Sequence, residues 1–174
     1  MSRLGRLTAR TDPSCSSRPR PNAPHQKCGA CYICKMKKRL VIANWKMYIE
    51  SPEEAKRFVA SLKRKAASYD GVEAWIAPPF TLLPVLKGIK IGGQAISANM
   101  GAHTGEVSAA MLKDAGASFV IVGHSERRAL GDTNEAVHAQ LAAAGGAGLA
   151  PVLCVGESER TPEGTHFTKI AEQL

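Results

Sequence analysis

Four short polar strings stand beside or between apolar runs, and they hold most of the residues able to do chemistry. Asn44-Trp45-Lys46 follows the apolar run 40–43 and offers an amide and a cation two positions apart, on one side of an extended chain. Gly123-His124-Ser125-Glu126-Arg127-Arg128 follows the run 119–122 and sets an imidazole beside a carboxylate and two guanidinium groups. Gly101-Ala102-His103-Thr104-Gly105-Glu106 forms a glycine-bounded loop, and Gly156-Glu157 closes the run 149–155. Taken singly, each has a plain reading: an exposed lysine, a satisfied loop histidine, a solvated helix-start glutamate. Together they would supply donors, a cation and carboxylates, the groups needed to stabilise developing negative charge and move a proton.

Such groups work only if a frame brings them together. Short apolar runs near residues 40, 73, 89, 119 and 149 read as strands, and each is followed by a helical pattern. In the first helix Ser51 is the N-cap, Pro52 takes the first position and Glu54 completes a capping box. Phe58, Val59, Leu62 and Ala66 form its buried face. Gly71 ends that unit, strand 73–77 follows, and Pro78-Pro79 closes it. A short unit over 81–86 leads to a strand over 89–96, and Ser108 caps a helix through Leu112 that stops at Gly116. The β-branched run 119–122 fits a strand buried on both faces. Asp132 and Glu135 form a second capping box, opening a helix with Val137, Leu141 and Ala144 inward; the glycines from Gly145 stop it. A strand over 149–155 and a helix from Pro162 to Leu174 complete the pattern. Regular alternation of strand and helix implies a parallel sheet. It leaves open whether that sheet is doubly wound or part of an eight-unit barrel.

The motifs decide between them. Ala43-Asn44-Trp45-Lys46-Met47, the Gly101–Glu106 loop, Val122 through Arg128, and Leu153-Cys154-Val155-Gly156-Glu157 resemble triosephosphate isomerases in content, order and spacing. The resemblance covers residues 38–174. It implies an α/β chain forming about five units of a (β/α)8 TIM barrel, with functional groups at the C-terminal ends of the strands. By that resemblance His124 is the electrophile that donates a hydrogen bond from an uncharged imidazole, Lys46 binds the substrate and favours its developing charge, and Asn44 hydrogen-bonds the substrate. Glu126, with Ser125 beside it, matches supporting residues behind them, the carboxylate placed to reach Lys46. Thr104, Gly105 and Glu106 match a dimer loop.

The same resemblance implies dihydroxyacetone phosphate and glyceraldehyde 3-phosphate as the interconverted trioses, through an enediolate, in a cytoplasmic glycolytic and gluconeogenic homodimer without cofactor or metal. In the family the general base is a glutamate after the sixth strand. Nothing in this sequence matches it, so the chain is expected to be a fragment, inactive alone; a non-catalytic remnant that serves as a binding or assembly partner is the alternative. Glu157, after the fifth strand, is not that base.

The first 37 residues read differently. Residues 1–39 hold 10 of the 23 basic side chains and one of the 15 acidic ones, so the net charge of +8 belongs to this arm. The rest of the chain is close to neutral, which excludes an electrostatic footprint for nucleic acid. No apolar run is long enough for a membrane span. Proline and arginine spacing predicts a disordered extension, with Met36 the natural start of the body. A transit peptide, or a metal site at Cys28, Cys31 and Cys34 with His25, are the lesser readings. Cys154, alone in the body, reads as packing, and its lack of a partner suggests a reducing compartment.

Overall fold

The computed structural model describes residues 39–157, 159–160 and 162–174. The expectations for the arm, its disorder, its start site, the transit-peptide reading and the metal site at Cys28, Cys31 and Cys34 with His25, lie outside the described residues.

Five strands run β1 (Arg39–Asn44), β2 (Val72–Ala77), β3 (Lys90–Gly93), β4 (Phe119–Val122) and β5 (Ala150–Leu153). Between and after them lie α1 (Pro52–Ala67), a 3₁₀ turn (Phe80–Val85), α2 (Ala109–Asp114), α3 (Ser125–Ala129), α4 (Asn134–Gly146) and α5 (Thr165–Ala171). Every strand pairs in parallel with its neighbour, in the order β1-β2-β3-β4-β5. A doubly wound sheet reverses its order at a switch point. This one does not, so its winding is that of a barrel.

The sheet has two packed faces. Val120 and Val122 point into the larger core, with Ile76, Leu112, Val137 and Ala144. Phe119 and Ile121, alternating with them, join Ala77 in a smaller cluster. Ile42 from β1, Trp75 from β2, and Val152 from β5 with Cys154 just beyond it pack on that cluster too. Contributions from both outer strands to one small cluster require a curled sheet. Gly92 of β3 makes room for it: a Cβ there would meet the Phe119 ring at 2.5 Å.

Local signals explain most boundaries. Ser51 Oγ accepts from Glu54 N at 3.3 Å as expected, and the Ser51 hydroxyl donates to Glu53 Oε2 at 3.2 Å. Several expectations need correction. Phe58 is 47% exposed, because Ala55 and Val59 take the inward line and Phe58 sits on the helix flank, edge-on to Trp45 at 5.2 Å. The N-cap of α4 is Thr133, whose hydroxyl accepts from Ala136 N at 3.2 Å. Asp132 is instead drawn to Arg127 and Gln140. Finally, α5 starts at Thr165 and not at Pro162, since Gly164 at φ 75° adopts a left-handed conformation that cannot continue a right-handed helix. Gly145 and Gly146 remain helical in α4, and the chain turns at Gly148. β3 and β5 are shorter than the runs 89–96 and 149–155, which extend into the loops. Among the described residues no helix is long and apolar enough to cross a membrane.

Candidate active site

The site is built at the C-terminal ends of the strands. Asn44 is the last residue of β1, and its Oδ1 accepts from Lys46 N at 2.9 Å. That bond folds the chain tightly enough to hold Lys46 at φ +49°, a conformation costly for a residue with a Cβ. Gln94, just after β3, makes the turn rigid. Its amide donates to the carbonyls of Lys46 at 2.8 Å and Ala77 at 2.9 Å, joining the ends of β1, β2 and β3.

From this turn Lys46 reaches Glu126, with Nζ and Oε1 2.6 Å apart. The contact raises the Lys46 pKa and lowers that of Glu126, in each case mainly through the hydrogen bond between them. Both side chains are substantially solvent-exposed, so the pair aligns a cation more than it stabilises the fold.

His124 follows β4 through Gly123 and caps α3. Its Nδ1 accepts from Glu126 N at 3.2 Å, which leaves the ring proton on Nε2. Glu126 Oε2 also lies 3.8 Å from Nδ1. With Nδ1 acting as acceptor, that approach is not an ion pair.

Asn44, Lys46, Gln94, His124 and Glu126 line one cleft of about 530 Å³. The sequence-predicted residues Asn44, Lys46, His124 and Glu126 thus meet across the ends of two strands, β1 and β4, and Gln94 adds the end of β3. Ser125 does not line this cleft; it is exposed and borders a second depression of about 480 Å³ with Cys154 and Glu157. Glu157 is held by Arg160, which keeps its carboxyl below the usual range. Burial raises the Cys154 thiol despite the opposing charge of Arg128, a neighbour the sequence did not suggest. Thr104, Gly105 and Glu106 form an exposed loop, with Glu106 3.9 Å from Arg127. Sequence reasoning missed Gln94, whose signal was an isolated amide in the apolar run 89–96. It also passed over Arg127, which lines the cleft and pairs with Asp132 at 3.2 Å.

Sequentially ordered parallel βα units with convergent polar groups at the strand C-termini define the class of (β/α)8-barrel enzymes. Within that class the chain belongs to the triosephosphate isomerase family, whose model matches residues 39–174. It is 47% identical over 131 residues to triosephosphate isomerase of Symbiobacterium thermophilum, covering 71% of this chain and 51% of that protein. The isomerase of Hyphomonas neptunium is 43% identical over 150 residues, covering 80% and 59%. The crystal structure of triosephosphate isomerase from Bartonella henselae superposes with a TM-score of 0.67 at 37% identity, covering 79% of this chain and 59% of that one. The chain spans little more than half the length of these relatives.

Proposed function

We propose that residues 39–174 carry the electrophilic half of a triosephosphate isomerase site. The reaction interconverts dihydroxyacetone phosphate and glyceraldehyde 3-phosphate through an enediolate. One observation carries the reading: an imidazole whose Nδ1 is occupied by a backbone N–H shares a cleft with a lysine ammonium. A ring protonated on Nε2 alone can donate to a carbonyl oxygen, and that bond strengthens as the carbon-bound proton leaves and the oxygen gains charge. Lys46 attracts the phosphate and the developing oxyanion. Asn44 orients the substrate. Within that role Glu126, lying beside the exposed Ser125, holds the lysine in place.

Proton abstraction needs a free carboxylate with a pKa near the working pH. Glu126 and Glu157 are each engaged by a cation that lowers the pKa, which makes them weak bases. We assign the base to a glutamate that this sequence does not contain. The chain alone is then inactive, and the complete enzyme is a cytoplasmic homodimer in which the loop Thr104, Gly105 and Glu106 meets the partner. It requires no cofactor, metal, nucleic acid or membrane.

The test is a coupled assay with glyceraldehyde 3-phosphate. It compares the highly purified chain with the same chain joined to the remaining C-terminal part of the Hyphomonas neptunium relative. The chain alone should show no turnover. The joined protein should be active, and His124→Gln should lower its kcat by about 10²–10³. Lys46→Met should weaken a phosphorylated ligand far more than one lacking phosphate. Turnover by the chain alone that vanishes in His124→Gln would place the base within it. A folded but inactive joined protein would favour the non-catalytic reading.

A further inference from the structure

His124 is bracketed by one residue, through its side chain on one side and its backbone on the other, that the proposed chemistry does not use. Gly123 leaves β4 at φ 71°, and its carbonyl accepts from Arg128 Nε at 2.9 Å. The carbonyl of His124 itself accepts from the backbone N–H of Arg128 at 3.0 Å. Arg128 therefore holds the carbonyls on both sides of the His124 Cα.

The guanidinium is fixed in turn. Its Nη1 donates to Asn134 Oδ1 at 2.8 Å, at the first residue of α4. Asn134 Nδ2 then donates to the carbonyl of Glu172, next to α5, at 3.1 Å. A planar guanidinium that donates through Nε and Nη1 fixes its two acceptors relative to each other, which a flexible ammonium cannot do. The packing is close as well: a Cβ on Gly123 would meet Arg128 Nη2 at 3.0 Å and the Cys154 carbonyl at 3.1 Å.

We infer that Arg128, anchored by Asn134, is a positioning residue that holds the His124 ring where Nδ1 accepts from Glu126 N. The inference rests on the reading of His124 as electrophile, since that role requires the Nε2-protonated ring. The mechanical path is short. Fixing the Gly123–His124 peptide and the His124 carbonyl leaves the ring's own torsions as the main freedom, and the bond to Glu126 N then selects one arrangement.

The experiment uses the full chain with isotopically labelled histidine, His124 being assigned by comparison with His124→Gln. Long-range proton–nitrogen spectra should show one protonated and one acceptor ring nitrogen in the wild type. Arg128→Lys keeps the charge but cannot span both acceptors. It should shift the two ring nitrogens toward averaged values and speed exchange of the Glu126 amide by roughly fivefold, as loss of one hydrogen bond implies. Asn134→Ala, an exposed position that leaves the core intact, should do the same. Asn134→Asp keeps an acceptor for Nη1 while losing the donor to Glu172, and should remain close to wild type.

Wild-type spectra and exchange in both Arg128→Lys and Asn134→Ala would overturn the inference. So would a loss in Asn134→Asp as full as that in Asn134→Ala. These readouts need no substrate. An inactive joined enzyme that retains the wild-type ring signature would therefore count against the functional proposal alone.

Discussion

All four residues of β4 are buried, whereas the first three of β1 are exposed and the other three half-buried. Their sequences do not explain this, since Leu40-Val41-Ile42 is about as apolar as Phe119-Val120-Ile121. Neighbours do. β4 lies between β3 and β5, with α4 packed on one face and the inner cluster on the other. β1 pairs with β2 alone among the described strands, and Leu40 and Val41 remain 47% and 54% exposed. β5, the other outer strand, carries an exposed Pro151, a residue with no N–H to donate and so suited to an edge. Burial here is set by a strand's place in the sheet, and only then by its own residues.

That contrast can be tested by substitution. The largest effect belongs to Phe119→Ala, which empties the inner cluster and should cost about 3–5 kcal/mol in urea unfolding. Leu40→Ala on β1 should cost about 1 kcal/mol, because only about half of that residue's surface leaves water on folding. Equal losses at the two positions would break the comparison.

Gly92→Ala probes the same cluster from β3. A methyl group 2.5 Å from the Phe119 ring forces the ring to move, and a loss of about 1–3 kcal/mol is expected. A neutral result would mean that the cluster is loosely packed.

A smaller effect on stability, with a different readout, is expected at the edge. Leu40→Lys combined with Val41→Thr should change stability by no more than about 0.5 kcal/mol. It should nonetheless reduce hydrophobic-dye binding and concentration-dependent association, because an exposed apolar edge recruits other chains. Unchanged association would assign that behaviour to another surface.

The smallest effect belongs to Lys46 and Glu126. The carboxyl pKa is lowered on folding, so its contribution is present above the unfolded value and lost as pH falls through the folded one. The lysine pKa is raised, so its contribution is present below the unfolded value and lost as pH rises through the folded one. Between those limits Glu126→Gln should lower stability slightly, and added salt should shrink the difference because the pair is exposed. A salt-insensitive difference would indicate that Glu126 acts through packing instead.

The alternation of elements was legible in the sequence because each unit carries local punctuation. Ser51-Pro52 and Ser108 cap their helices, and Gly71 and Gly116 adopt the positive φ that ends a unit. The motifs also located Asn44, Lys46, His124 and Glu126 at strand ends, because a motif records which residue types stand beside which strand. Local reasoning failed where two local candidates competed. Asp132 and Thr133 are both good caps, and the choice fell to Thr133 because Arg127 and Gln140 draw Asp132 away.

What the sequence by itself determined is therefore the set of units, their order and the chemistry available at their ends, all encoded within a few residues of each position. Tertiary structure alone decided the rest. The grip of Gln94 on Lys46 spans 48 positions, and the 2.6 Å contact of Lys46 with Glu126 spans 80 and was expected only through the family resemblance, not from any spacing within the sequence. The anchoring of Asn134 to Glu172 spans 38. No spacing rule reaches that far, because such contacts exist only after parallel strands have set their ends side by side.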